Sequence, residues 1–281
     1  MHSRPPSDVR IHRLTRALLL LLFLACKRES EVSARKAEEH VRLVVEAVRT
    51  DVEEIRQGLP KGAEHVKPYF VAGSFEDATA AREVLDRARN KVQDLRVAKS
   101  TFFALVTPDG NVLRSDQEHD ALAGKNSFSG FGELRTALSG KYVETRGALD
   151  ALSGVRGRPD AQWVAAAPVS VDGQVRGLYV TGWSWSAYAY RLENQLRSQV
   201  RSGLADREKE PLVYVYVVVD KDVYGAPISP EVNARAVAER RLAGSPATAE
   251  LELTGRAFGL AYQPTPALGA GVGVVVLRSE T

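Results

Sequence analysis

The sequence has a single cysteine, Cys26, among its 281 residues. One cysteine excludes an internal disulfide framework, a cysteine-based zinc site and a CxxC redox pair. Histidine is also scarce, and no HExxH spacing occurs. There is no Gly-x-Ser-x-Gly elbow, no Gly-x-x-x-x-Gly-Lys loop and no Gly-x-Gly-x-x-Gly after a predicted strand. We therefore expect no catalytic residue, no metal site and no cofactor.

An excess of charge of one sign is missing from most of the chain. The net charge is +3, and residues 1–25 alone supply it, with four arginines against one aspartate. The remainder is neutral overall, which excludes the basic surface that a nucleic-acid partner requires. With 44% hydrophobic and 26% charged residues, the composition is that of an ordinary globular protein, and the length suggests about two domains.

Long hydrophobic runs are also absent. The run that follows Arg16, from Ala17 to Ala25, has nine apolar residues. As a helix it covers about 14 Å, roughly half of the hydrocarbon core of a bilayer. No other stretch approaches 18 apolar residues, so we expect no membrane-spanning helix and no cytoplasmic part.

The basic flank, the short apolar run and the small residue Ala25 are typical of a secretory signal peptide, which we place at residues 1–25. Because Cys26 follows directly, the segment resembles a bacterial lipoprotein signal, although Phe23 and Leu24 depart from the usual pattern. The resemblance implies lipidation of Cys26, a lipid-anchored tether over 26–32 and a place in the bacterial cell envelope, on the periplasmic side or at the outer membrane. The alternative is ordinary signal cleavage that leaves a spare thiol.

Helices are predicted between the tether and residue 100. Valines at three- and four-residue spacing predict a helix over 33–57 that ends at Gly58 and Pro60. A second amphipathic helix is expected over 75–97, with Ser74 as its cap. We interpret this region, 33–100, as packed scaffolding.

From Thr101 onward the hydrophobic period changes to two, which predicts strands. The first unit, 101–205, is expected to contain strands at 102–106, 112–115, 141–146, 162–171 and 174–183, a short helix at 133–139 and an exit helix at 188–201. The second and smaller unit, 211–281, is expected to contain strands at 212–219, 249–253, 256–263 and 272–277, and a helix at 230–242. Strands joined by tight turns beside segregated helices define an α+β fold with antiparallel sheets.

The segment from Phe103 to Asp116, the Gly124-Lys-Asn126 block and the helix that ends at Gly140 resemble the double-Cache (dCache) family of extracellular sensor domains. This resemblance implies N-terminal helices followed by two PAS-like sheet units, with a small metabolite bound in the first unit. Members of the family signal to a cytoplasmic effector. Because no membrane span is predicted, signalling here would need a separate transmembrane partner. The Arg-x-Trp-Tyr signature of amino-acid-binding members is missing.

The candidate ligand site lies on the first sheet, around the small residues Ala165–Ala167. Alanine packs poorly in strands, so its use there leaves volume for a ligand or for a closely approaching helix. An aromatic wall with an arginine pair suits a carboxylate or a similar anion. The candidate residues are Tyr142, Arg146, Arg156, Arg158, Asp160, Gln162, Trp163, Tyr179 and Trp183. The alternative is that the tryptophans fill the core, the arginines line a solvated loop, and Arg146 pairs with Glu144 or across the strands.

A run of four large aromatic residues, from Trp183 to Tyr190, is expected to lie between the two units, with a partner-facing patch as the alternative. The sequence therefore predicts an exported, lipid-anchored, non-catalytic module that senses a small molecule. A ligand-free structural or protein-interaction lipoprotein is the other hypothesis from these residues, and an enzyme ranks behind both.

Overall fold

The computed structural model describes residues 8–73, 77–149 and 161–280, with side chains from Ser30 onward. The α-helices in these ranges are α1 (Asp8–Ala72), α2 (Ala78–Lys91), α3 (Gln93–Val97), α4 (Ser127–Gly130), α5 (Trp185–Ser202) and α6 (Glu231–Glu239). The strands are β1 (Phe102–Val106), β2 (Val112–Ser115), β3 (Val143–Gly147), β4 (Gln162–Val171), β5 (Gln174–Ser184), β6 (Leu212–Val219), β7 (Asp222–Gly225), β8 (Ala247–Leu253), β9 (Arg256–Pro264) and β10 (Val272–Ser279). Two short 3₁₀ helices cover Gly132–Ser139 and Pro266–Leu268.

The strands form two five-stranded antiparallel sheets with the same topology. The first has the order β2-β1-β5-β4-β3 and the second β7-β6-β10-β9-β8, so each strand has a counterpart five places later in the chain. The predicted α+β fold with two repeated sheet units is therefore confirmed. The short strand β7, with only four residues, is the element of the second sheet that was not predicted.

Helix α1 is longer than predicted. The expected end at Gly58 and Pro60 is wrong, because α1 continues through both Pro60 and Pro68 to Ala72. Gly58 and Gly62 do not end the helix, because neighbouring side chains pack closely against them. An added Cβ at Gly58 would lie 2.8 Å from Leu95, and one at Gly62 would lie 2.6 Å from the ring of Tyr179. Tight packing of this segment therefore compensates for the lost backbone hydrogen bonds of the prolines.

Both sheets share one hydrophobic core because α1 packs against both of them. The turns of α1 around Ser33 and Ala34 lie on the second sheet, where Gly259 in β9 approaches the backbone of these two residues. Its later turns lie on the first sheet, against β4 and β5. The outer faces of the sheets form separate cores, one under α4 and the 3₁₀ helix at Gly132–Ser139 and one beside α6.

The start of α2 also differs from the prediction. Asp77 caps the helix, since its carboxylate accepts hydrogen bonds from the backbone N–H groups of Thr79 at 2.9 Å and Ala80 at 3.0 Å. Ser74, which was expected in this role, lies outside the described residues. Aspartate is an equally good N-cap, and it stands directly before the first helical residue.

The two units are joined by buried polar contacts between α5 and β6. Glu193 is 1% exposed and accepts a hydrogen bond from the backbone N–H of Val215 at 3.0 Å. Arg197 pairs with Glu193 at 2.9 Å and donates to the carbonyl of Val213. These bonds fix the second sheet to the exit helix of the first.

We expect His40 in α1 to make the stability of the fold depend on pH. Burial, and next the charge of Arg278, lower the pKa of His40 from its usual 6.5 to about 4, although Glu39 and Glu280 act in the opposite direction. Between these two values the unfolded chain binds a proton that the folded chain does not, so stability should fall as the pH drops from 6.5 towards 4. Thermal unfolding from pH 4 to pH 7 checks this.

His40→Gln is the matched variant for that titration, since it keeps a polar side chain without an ionisable ring. Its melting temperature should decline less than that of the wild type over the same range. Carboxylates titrate equally in both proteins and cancel in the comparison. Parallel curves would show that His40 contributes nothing to the pH dependence.

Candidate ligand-binding site

The structure describes six of the nine predicted ligand-binding residues. Arg156, Arg158 and Asp160 lie outside the described residues. Of the six, Trp163 and Trp183 lie together as cross-strand partners on β4 and β5. Tyr142, Arg146, Gln162 and Tyr179 are distributed over the same sheet and its edge.

Three of the four predicted aromatic residues, Trp163, Tyr179 and Trp183, are fully buried and stacked, whereas Tyr142 is only partly buried. The rings of Trp163 and Trp183 have centroids 4.4 Å apart and planes at 15°. Trp183 also stacks on Tyr188 of α5, at 4.4 Å and 10°, so it is held between two rings. Tyr179 lies elsewhere on the strand and stacks on Phe103 at 5.7 Å. Such stacks give these rings one fixed orientation.

The small residues of β4 allow α1 to lie close to the sheet. Ala165 and Ala167 belong to the core that α1 enters, whereas Ala166 belongs to the core on the opposite face. Of the two explanations for the alanine run, the closely approaching helix is therefore the one seen in the structure.

The polar residues at the β3 edge bind to other elements. Glu144 receives two hydrogen bonds from the guanidinium of Arg56 in α1, at 2.6 and 2.9 Å, and one from the hydroxyl of Tyr142 at 3.0 Å. Arg146 lies 3.6 Å from Asp220 of the second unit. The alternative pairing of Arg146 with Glu144 is thus not formed. Burial raises the pKa of Tyr142, so its hydroxyl stays protonated as a donor.

The aromatic run forms an interface within the chain, as predicted. Trp183, Trp185 and Tyr188 are at most 1% exposed, and all three belong to the core that both sheets share. Tyr190 is the exception, since it is 43% exposed on α5. Trp185 begins α5 and does not extend the strand.

A basic cavity lies where the segment after α3 meets the end of β5 and the start of α5. Its volume is about 340 Å³, and its lining contains four cationic side chains and no carboxylate. The cations are Arg89, Arg96, Lys99 and Arg191. Trp183 also lines the cavity, and it is the member of the predicted site that does so.

Two of the four cations are compensated by neighbouring carboxylates. Arg89 lies 3.6 Å from Asp116 and over the ring of Phe103. Arg191 forms an ion pair with Asp51. Within the described part of the chain, Arg96 and Lys99 have no carboxylate within 4 Å, and both are exposed. The cavity therefore gathers four cations, two of which form no ion pair at contact distance.

Three polar atoms of the lining residues are buried without a hydrogen-bond partner. They are the indole nitrogen Nε1 of Trp183, Nε of Arg191 and the hydroxyl oxygen of Ser100. An unpaired buried donor costs about 1–3 kcal/mol. Since Trp183 is clamped between two rings, its N–H cannot turn to a new partner. Three of the lining residues therefore keep a buried hydrogen-bonding atom that no protein group uses.

Asp51 connects this cavity to α1. It is 6% exposed, accepts a hydrogen bond from the hydroxyl of Tyr188 at 3.0 Å and pairs with Arg191, whose guanidinium lies over the Tyr188 ring. Burial raises the pKa of Asp51, and Arg191 partly offsets that effect. Arg191 is thereby bonded to the long helix.

Sequence reasoning missed the four cations because they come from separate elements and each lies on a charged, solvated face. The sequence feature that could have indicated the cavity is the group of Arg96, Lys99 and Ser100, which lies where the helical hydrophobic period ends. Among the described residues, no group of histidines and carboxylates is arranged to hold a metal ion.

The repeated five-stranded sheets and the long N-terminal helix are the double-Cache fold that the sequence resemblance predicted. The sequence matches no protein-family model and no curated protein. Similar solved structures share the architecture at very low sequence identity, so they establish the fold alone.

Three of these structures illustrate the likeness. The extracellular domain of a protein named as the histidine kinase vpHK1S-Z8 has a TM-score of 0.58 at 11% identity, over 90% of this chain and 93% of that chain. A domain of a sensory box/GGDEF family protein from Vibrio parahaemolyticus has a TM-score of 0.53 at 10% identity, over 90% and 98%. An extracellular ligand binding receptor from Desulfohalobium retbaense has a TM-score of 0.51 at 12% identity; 87% of this chain is covered, which spans 40% of the receptor.

Proposed function

We propose that this protein is an exported, lipid-anchored sensory module that binds a small molecule and has no catalytic activity. Signalling would proceed through a separate transmembrane partner. The fold supports this proposal, since similar structures include extracellular domains named as parts of a kinase and of a ligand binding receptor. In this proposal, residues 101–205 form the sensing unit and 211–281 the supporting unit.

The observation that carries the proposal is the basic cavity and its link to α1. The cavity is lined by Arg191, and Arg191 is paired with Asp51 on α1. α1 packs on both sheets. A ligand that binds to Arg191 would therefore act on the helix that contacts both units. A coupling of this kind is what a sensor requires.

A thermal-shift screen of the full-length protein, purified in detergent, tests small-molecule binding. The panel contains amino acids, carboxylates, purines and polyamines. A ligand at about 100 times its Kd adds roughly 2.7 kcal/mol to the folded state. For a protein of this size the melting temperature should rise by about 5–10 °C. If no compound in the panel shifts it, the sensory proposal gives way to the ligand-free interaction lipoprotein.

The anchoring part of the proposal is tested at Cys26. Within the part of the chain that the structure describes, no helix combines the length and the apolar character needed to cross a membrane. Acyl chains on Cys26 would supply the anchor, at about 0.8 kcal/mol per buried CH₂. We expect wild-type protein to sediment with membranes and to incorporate labelled palmitate in a bacterial host.

Cys26→Ser should abolish both properties, while Ser30→Ala, close by in the chain, should keep them. A Cys26→Ser protein that still sediments with membranes after a high-salt wash would show that something other than the lipid holds it there.

A further inference from the structure

We propose that the basic cavity binds a small anion through a carboxylate or phosphate group. The cavity is bounded by the segment from Arg96 to Thr101, the end of β5 and the first turns of α5. This inference deepens the proposed sensory function, on which its biological role rests, by naming the chemical class of the ligand. The binding itself is tested separately from signalling.

The charge of the lining selects an anion. Of the four cations, only Arg89 and Arg191 have a carboxylate partner among the described residues. Arg96 and Lys99 bring two further positive charges to the same cavity. A carboxylate or phosphate pairs with guanidinium groups through two parallel hydrogen bonds, which a neutral or cationic ligand does not offer.

The unpaired polar atoms point to the same class. Nε1 of Trp183 and Nε of Arg191 are donors only, and the hydroxyl of Ser100 donates equally well. Each therefore lacks an acceptor. An oxyanion is all acceptor, so one ligand group meets both the charge and the hydrogen-bonding demand of the lining.

The position and the size of the cavity add two constraints. Ala187 and Tyr188, in the first turn of the 18-residue helix α5, line the cavity, so the positive end of that helix dipole is close to it. A volume of about 340 Å³ is at the lower end of the range for small-molecule sites. The cavity therefore suits a metabolite-sized anion and excludes a folded polymer.

Isothermal titration of the full-length protein tests the proposal, with acetate, succinate, citrate, inorganic phosphate and sulfate at constant ionic strength. Putrescine and glycerol serve as the cationic and neutral probes. We expect saturable binding of at least one anion and none of the two control probes. Binding of the carboxylates alone, or of phosphate and sulfate alone, would identify which oxyanion group the cavity prefers.

Variants locate the binding in the cavity. Arg96→Gln and Lys99→Gln each remove one of the two lining cations that form no ion pair at contact distance, and both positions are exposed, so folding should be unaffected. Each should raise the Kd about tenfold, the effect expected for a lost charged hydrogen bond. The matched controls Arg240→Gln and Lys209→Gln remove exposed cations far from the cavity in the chain and should leave the Kd unchanged.

Trp183→Phe is a second test of the site, because it keeps a ring in the stack and removes the indole N–H donor. Its Kd should rise by a similar factor. If the anion binds equally well to wild type, Arg96→Gln and Lys99→Gln, the cavity is not the site. If only neutral or cationic compounds stabilise the protein, the anion inference fails while the sensory function stands, and silence in the whole screen removes the sensory function.

Discussion

Trp183→Ala is expected to lower the free energy of unfolding by about 3–5 kcal/mol, the range for truncating a buried tryptophan. The side chain is 0% exposed, and its ring lies between those of Trp163 and Tyr188 at 4.4 Å from each. Truncation leaves a cavity between the rings of Trp163 and Tyr188. It also removes two stacking contacts, each worth about 0.5–1.5 kcal/mol beyond burial. Urea unfolding followed by circular dichroism measures the loss.

Two control variants separate the stability contributed by ring stacking from the effect of losing an aromatic side chain as such. Trp183→Phe keeps a ring in the sandwich and should cost less than half as much. Tyr190→Ala removes an exposed aromatic side chain from α5, the helix that carries Tyr188, and should change the unfolding free energy by less than about 0.5 kcal/mol. Equal losses for the Trp183→Ala and Tyr190→Ala proteins would mean that the stack does not stabilise the fold.

Gly259→Ala should be the most damaging single-methyl addition in the second sheet, with a loss of about 3 kcal/mol or more. An added Cβ at Gly259 would lie 2.1 Å from the backbone nitrogen of Ala34 and 2.2 Å from the carbonyl carbon of Ser33. These are backbone atoms of α1, so no side-chain rotation relieves the overlap. Helix and strand must move apart, and the shared core opens at that end.

Gly132→Ala is the matched control for Gly259→Ala. An added Cβ at Gly132 meets no atom within 4 Å. Thermal unfolding and limited proteolysis compare the two proteins, and we expect new cleavage near Ser33 and Ala34 of α1 only in the Gly259→Ala protein. A stable, protease-resistant Gly259→Ala protein would show that α1 is not seated on β9 as described.

Most of the fold could be predicted because apolar alternation and tight turns are local signals. β6, which is almost continuously valine and tyrosine, was placed at its observed bounds. β7 was missed because four residues that include an aspartate and a glycine carry no alternating pattern. The end of α1 was misplaced because Pro60 is a helix breaker in isolation, and only the buried contacts of Gly58 and Gly62 keep the helix going.

The candidate site was harder to predict, since it depends on residues that meet only in three dimensions. Trp183 was identified from its aromatic neighbours on the strand. Arg89 and Arg191 lie on different helices about a hundred residues apart, and on each helix they look like ordinary solvated charges. The unpaired state of the Trp183 N–H follows from packing, and no sequence pattern encodes it.

The long helix affects the order in which the hydrophobic core can be completed during synthesis. The turns of α1 that follow Ser30 are synthesised early, but their partner strands β9 and β10 are synthesised last; Ser30 and Glu250, which are in contact, are 220 residues apart in the chain. Contacts of such separation slow folding and leave apolar surface uncovered in the meantime. The later turns of α1 meet β4 and β5 much earlier. The nascent chain therefore completes its shared core from the middle outward, and the turns of α1 around Ser33 are covered only when the last strand arrives.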